Sequence, residues 1–175
     1  YNHFFGMSKD WTIEDQIREA DSYADLGVEY FVVDAEWFRG KFRNGIGNWE
    51  LEDKTRFPDG MAVLAEHVRS LGMKFGSWLE IEWAMKDSHW GRKHRDWFDD
   101  APGHFNHRYH SGPYNDLLLR AADPRVRKQV ADFLEAWVDK YGIEWLRWDN
   151  NNAPADFWDA HERNGQCGRR QIEYA

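Results

Sequence analysis

One unit, written three times, restricts this chain more than anything else in it. A helical stripe ends at a glycine, a short apolar run follows, and the run stops on an acid. Gly27 leads through Val28, Tyr30, Phe31, Val32 and Val33 to Asp34. Gly72 leads through Met73, Phe75, Gly76, Trp78 and Leu79 to Glu80. Gly142 leads through Ile143, Trp145, Leu146 and Trp148 to Asp149, with Asn150 and Asn151 behind it. A single acid at a strand end arises by chance. Recurrence at the same point of a helix–strand unit predicts one face lined with carboxylates at a common level. In parallel α/β architectures the carboxyl ends of the strands carry the chemistry.

Around these units the chain reads as β, α, β, α, β, α, β and the start of a further helix. Residues 1–11 predict a first strand and its loop. Thr12 caps a helix whose face is Ile13, Ile17, Ala20 and Ala24, with Glu14 and Asp15 favourable in its first turn. Residues 28–34 predict a strand buried on both faces. Residues 35–58 form a long loop, and a loop of that length inside a compact domain is usually functional. Met61, Leu64, Ala65, Val68 and Leu71 make the next helical stripe, ahead of a strand over 73–79. Residues 81–122 read as irregular, apart from a short strand over 117–119. Asp123 and Pro124 open a helix buried through Val126, Val130, Phe133, Leu134, Trp137 and Val138. The strand to Asp149 follows, then a loop and a helix from near Arg169.

Strands alternating with helices imply parallel pairing within one α/β domain over residues 1–175. A complete (β/α)8 TIM barrel takes roughly 250 residues, so the chain reads as about the first half of one. It begins at Tyr1 without a methionine and stops at Ala175 inside a helical pattern. It is therefore expected to be a piece of a longer protein, cut at both ends.

Composition narrows the function. Tryptophan is abundant, 11 in 175 residues, and aromatic residues make up 17%. Large aromatics are core material first; beside polar strand ends they also form flat platforms suited to the C–H faces of sugar rings. The net charge of -8 argues against nucleic acid or an anionic membrane as partner. No apolar run is long enough to cross a membrane as a helix. The single cysteine, Cys167, excludes an internal disulfide and a cysteine-based zinc site, and is compatible with a reducing compartment such as the cytoplasm.

Asp149 is the first candidate for chemistry. Alone, a strand-end aspartate is as often a turn cap or the partner of a neighbouring arginine. Here Arg147 shares its side of the strand by the two-residue period, and Asn151 continues that side. A cation, a carboxylate and an amide together bind hydroxyls and keep the carboxylate ionised, as a glycosidase nucleophile requires. Asp34 and Glu80 read as partners for sugar hydroxyls, against the plainer reading of solvated strand ends. Trp78, two residues before Glu80, reads as one wall of a pocket. His104, His107 and His110 lie in a segment that is not helical, so their spacing gives no shared face for a metal. No phosphate-loop or dinucleotide pattern follows a strand. No metal or cofactor is expected.

These segments resemble a known family. Phe-Val-Val-Asp-Ala-Glu-Trp-Phe (31–38), Gly-Asn-Trp-Glu (47–50), Phe-Pro-Asp-Gly (57–60), Gly-Met-Lys-Phe-Gly-Ser-Trp-Leu-Glu (72–80) and Trp-Leu-Arg-Trp-Asp-Asn-Asn (145–151) are similar to glycoside hydrolase family 36, the melibiase-like α-galactosidases of the clan shared with family 27. The resemblance implies a (β/α)8 catalytic domain and retaining double displacement on α-linked galactosides. It implies Asp149 as the nucleophile, with Asp34, Trp37, Trp78, Glu80, Arg147 and Asn151 as the substrate-binding set. Many members have Asp-Asp-Gly-Trp where this chain has Asp34-Ala35-Glu36-Trp37, and Trp-Phe-Glu-Pro where it has Trp78-Leu79-Glu80-Ile81. Those departures bear on which sugar is taken. The family's acid/base aspartate lies on a later strand, past Ala175, so a galactosidase-like fragment without its acid is expected to be inactive alone. A galactoside or oligosaccharide is the expected partner, and a homo-oligomer of the longer protein is compatible with this. Alternatives are a non-catalytic sugar-binding module, or a related α-N-acetylgalactosaminidase or transglycosylase.

Overall fold

The structure, a computed structural model, describes residues 1–5, 10–42, 44–101, 116–151, 154–162 and 168–174. Its centre is a parallel three-stranded sheet in the order β1 (Tyr30–Val33), β2 (Lys74–Leu79), β6 (Trp145–Trp148). Each crossover moves one strand further in the same direction. Winding in one direction, with no reversal among these three strands, is the connectivity of an α/β barrel.

Local signals set the helices. Thr12 and Asp15 form a capping box at the start of α1 (Ile13–Asp25). In α2 (Met61–Ser70), Met61, Leu64, Ala65 and Val68 are buried on one stripe. Asp123 accepts from the Arg125 N–H, and Pro124 opens α4 (Pro124–Tyr141). That helix stops at Gly142, whose left-handed backbone (φ 60, ψ 49) suits glycine. Arg69 of α2 donates to the Tyr141 carbonyl at 2.7 Å, tying α2 to the end of α4. α1 packs on α2, and α2 on β2 and α4.

The described residues after β2, 81–101 and 116–122, are more ordered than the sequence predicts. β3 (Trp83–Met85), β4 (Phe98–Asp100) and β5 (Asp116–Leu119) form a second, antiparallel sheet in the order β3-β5-β4. The short helix α3 (His89–Lys93) lies between β3 and β4. These strands are three or four residues long, too short for an alternating pattern to show. At the N-terminus, among the described residues, the expected strand shrinks to one bridge, Asn2 with Val32, before a 3-10 turn over His3–Phe5. Beyond β6, α5 (Pro154–His161) precedes the anticipated α6 (Arg169–Tyr174). The loop over 35–58 carries a large part of the core: Trp37, Phe38, Ile46, Trp49 and Phe57 are buried.

The register corrects the expectation of acids at one level. Val33 pairs with Ser77, and Trp78 pairs with Arg147, so Asp34, Trp78 and Arg147 make one row. The Asp149 N–H donates to the Leu79 carbonyl at 2.8 Å, which sets Asp149 beside Glu80, two residues higher. Asp34 thus lies about 6–7 Å below the other two along the strands. The stagger of the strands causes the offset.

β6 is covered unevenly. Trp145 and Trp148 are 52% and 44% exposed, unlike the buried β2. A Cβ at Gly142 would meet Arg69 Nη1 at 2.8 Å in addition to the left-handed strain. Gly142→Ala is therefore expected to cost about 1–2 kcal/mol, read as a lower urea midpoint with an unchanged slope.

Candidate active site

The row Asp34–Trp78–Arg147 and the residues above it line a cleft of about 270 Å3 at the carboxyl ends of the parallel strands. Its walls are Phe4, Asp34, Ala35, Phe42, Trp78, Arg147, Asp149 and Asn151. Asp34, Trp78, Arg147, Asp149 and Asn151, all singled out from the sequence, come together here. Trp37 and Glu80 are not in the lining.

Arg147 spans the two levels of acid. Its Nη1 donates to Asp34 Oδ2, and its Nη2 lies 3.7 Å from Asp149 Oδ2. Asp34 is 2% exposed and also accepts from Asn2 Nδ2 at 2.6 Å and from the Ala35 N–H at 2.8 Å. Its own N–H donates to His3 Nδ1 at 2.8 Å. That nitrogen must be unprotonated, and His3 is held down to about 4, chiefly by burial, with Arg56 adding to the effect against the pull of Asp34. The sequence offered no sign of Asn2 and His3 as supports, because a turn places them where a strand was expected.

Asp149 is held low in the carboxylate range. Burial pushes its pKa up; the Trp78 indole, the Asn150 N–H, the Asn151 side chain and the charge of Arg147 together outweigh that. Trp78 Nε1 donates to Asp149 Oδ2 at 2.9 Å, and the Asn150 N–H to Oδ1 at 2.9 Å. The Asp149 side chain keeps 29% of its surface exposed. The result is an ionised carboxylate, fixed by an indole and a backbone amide and open to the cleft.

Trp37 was expected to touch a ligand and does not face the cleft. It is fully buried, and its indole N–H donates to the Trp78 carbonyl at 2.8 Å. It packs among Phe38, Trp49 and Trp137, with ring centroids 5.5–6.3 Å apart, and so fixes the backbone behind Trp78. Glu80 is fully buried beneath Asn151, accepting from its backbone N–H and, at 3.3 Å, from its amide nitrogen. Burial raises its pKa to about 7; the bonds from Asn151 oppose this, and the charges of Asp149 and Glu82 add to it.

Glu36 departs from the pattern that the sequence resembles. Its φ is 74, a region a side chain rarely adopts. Its carboxylate takes a 2.7 Å ion pair from the buried Arg56 and lies 3.4 Å from the Phe42 N–H. The Arg56 guanidinium sits 4.2 Å over the Trp11 ring. Phe42, which the sequence did not single out, is held at the cleft edge-on to Trp78, centroids 5.9 Å apart.

Among the described residues no cluster of three His, Cys, Asp or Glu side chains is placed to hold a metal. His104, His107, His110 and Cys167 lie outside the described residues. No described helix is long and apolar enough to cross a membrane.

Comparison with known proteins matches the melibiase family over residues 1–173. α-Galactosidase 1 of Pediococcus pentosaceus is 31% identical over 157 residues, covering 87% of this chain and 21% of that protein. α-Galactosidase Mel36A of Lactobacillus acidophilus is 28% identical over 164 residues, covering 92% and 22%. The chain thus spans about a fifth of the length of the curated relatives it matches. Among solved structures, an α-galactosidase from Lactobacillus brevis superposes with a TM-score of 0.81 at 24% identity, over 99% of this chain and 23% of that one. The family 36 α-galactosidase AgaA of Geobacillus stearothermophilus does so with a TM-score of 0.78 at 25% identity, over 99% and 24%. Variants of AgaA have been solved with 1-deoxygalactonojirimycin and with raffinose.

Glu80 gives a pH test. Its folded pKa lies above its ordinary 4.5, so the folded state binds more protons than the unfolded state between 4.5 and about 7. Its contribution is full below 4.5 and is lost as pH rises to about 7. Glu80→Gln keeps an acceptor for Asn151 without the charge. Relative to the native protein, its thermal midpoint is expected to gain steadily across that window and to level off above it.

Proposed function

The chain belongs to the melibiase family, and from that premise we propose that it carries the nucleophile side of a retaining galactoside hydrolase site. The observation that carries this reading is the state of Asp149: ionised, hydrogen-bonded by Trp78 at 2.9 Å, and exposed to a cleft of monosaccharide scale.

In this proposal Asp149 attacks the anomeric carbon of an α-linked galactoside. The carbon–oxygen bond to the leaving group breaks as the carboxylate–carbon bond forms, and the leaving oxygen takes a proton from a general acid. Water then attacks the anomeric carbon from the side opposite the ester oxygen, giving a proton back to the deprotonated acid as the carbon–ester bond breaks and the carboxylate is restored. Donors held on Asp149 at the start keep it ionised and aimed, so little reorganisation is needed at the moment of attack. Arg147 and Asn151 are the assigned hydroxyl contacts, and the Trp78 face is the platform for the ring. Trp37 and Glu80 serve at one remove, by fixing Trp78 and Asn151.

No residue of 1–175 is assigned as the acid. Retention needs two carboxyl groups about 5–5.5 Å apart across the scissile bond. Asp34 is closed by Arg147, Asn2 and Ala35, and Glu80 is covered by Asn151. A polypeptide of residues 1–175 alone is therefore expected to turn over no aryl α-galactoside. Turnover by it that Asp149→Asn abolishes would place the acid within these residues.

The full-length protein, treated with a 2-fluoro-α-galactosyl donor, is expected to gain a covalent sugar that peptide mapping finds on Asp149. Asp149→Asn is expected to lower kcat about 10⁴-fold or more. Saturable sugar binding with no adduct would instead favour a non-catalytic binding module, the reading that Ala35 and Glu36, standing where many members have acid and glycine, also fit.

A further inference from the structure

The cleft has two chemically different sides. Arg147, Asp149 and Asn151 supply polar groups on one side. Asp34 also lines the cleft, but three donors already meet its oxygens: Asn2, the Ala35 N–H and Arg147. A carboxylate has about four acceptor sites, and this one is 2% exposed, so it offers a ligand little. The other side is the Ala35 methyl, the rings of Phe4 and Phe42, and the Trp78 ring, whose one donor is taken by Asp149. Among the described residues that side has no side-chain donor or acceptor left to use.

This apolar side is fixed in place. Glu36 holds the Phe42 N–H at 3.4 Å and is itself held by Arg56 at 2.7 Å. Phe42 meets Trp78 edge-on. Ala35 is 3% exposed and follows Asp34 at the end of β1.

Resting on the galactoside reading of this site, we propose that the cleft prefers a sugar of galacto configuration without a hydroxyl on its C5 arm. A 6-deoxyhexose would then bind better than galactose, and a pentopyranose at least as well. With the anomeric carbon at Asp149, the hydroxyls nearest to it fall to Arg147 and Asn151. The opposite edge of the ring, with the C5 substituent, meets Ala35 and Phe42. A hydroxyl there loses water and meets no open side-chain donor among the described residues, whereas a methyl group or a hydrogen loses nothing.

The test is a binding titration of the full-length protein with free D-galactose, 6-deoxy-D-galactose and L-arabinose, which keeps the ring hydroxyls and lacks the C5 arm. The deoxy sugar is expected to bind about 10–100-fold more tightly than galactose, the range by which an apolar pocket rejects an added hydroxyl. L-Arabinose is expected to bind at least as well as galactose. Equal affinities, a preference for galactose, or no binding of any of the three would overturn the proposal. Ala35→Asp, restoring an acid to this side, should move the ratio toward galactose; if it does not fold, Phe42→Asn poses the same question from the rim. A deoxy preference without any adduct on Asp149 would uphold this inference and sink the catalytic reading. An adduct on Asp149 with galactose preferred would do the reverse.

Discussion

The site rests on one guanidinium held between two carboxylates at different heights. The parallel register sets Asp34 level with Trp78 and Arg147, and Asp149 a further pair of residues up the strand. Without a bridge the lower acid would be a buried charge with only amide donors, and the upper one would lose its nearest cation. Arg147 answers both, through Nη1 to Asp34 and Nη2 near Asp149. An arginine suits this task because its fork carries several donors at fixed angles. Removing Arg147 would leave the buried Asp34 charge without its cation, a loss that the 37% exposure of the Arg147 side chain moderates, so the geometry of the cleft and the stability of the sheet depend on the same side chain.

Behind that bridge stands an aromatic frame. Trp78 reaches Asp149 with its indole while its own carbonyl is held by Trp37. Trp37 in turn packs against Phe38, Trp49 and Trp137, which belong to the 35–58 loop and to α4. The rigidity that keeps Asp149 aimed is thus delivered from the back of the sheet. Tryptophan fits both roles, as a large packing body with one polar handle. Trp37 and Trp78 use both, whereas the buried Trp49, Trp90 and Trp137 leave their indole N–H without a partner among the described residues and serve as packing bodies alone.

Much of this was legible because it rests on short-range rules. The glycines at 27, 72 and 142, the caps at Thr12 and Asp123, and the apolar runs fixed the three parallel strands and their helices. The convergence of Asp34, Trp78, Arg147, Asp149 and Asn151 follows from the strand period and was readable in advance. The heights of the acids were not, because stagger between strands is a property of the sheet and leaves no mark in any one strand. Nor could sequence say which tryptophan faces the cleft: Trp37 and Trp78 sit in similar motifs, and only three-dimensional packing separates the strut from the wall. Glu80 looked like a ligand for hydroxyls and is instead sealed under Asn151. The antiparallel sheet over β3, β4 and β5 hid in strands too short to show a period, and the role of Asn2 and His3 hid in a turn.

The account depends on Asp149 being an ionised carboxylate kept so by Trp78 and Arg147. The most direct measurement is a carbon-13 carboxyl titration of Asp149, made in the native protein and in Trp78→Phe, which keeps the packing body and removes the indole donor. The account predicts a native value below the ordinary aspartate range and a rise when the donor is removed. A native value at or above that range, unmoved by the substitution, would contradict it.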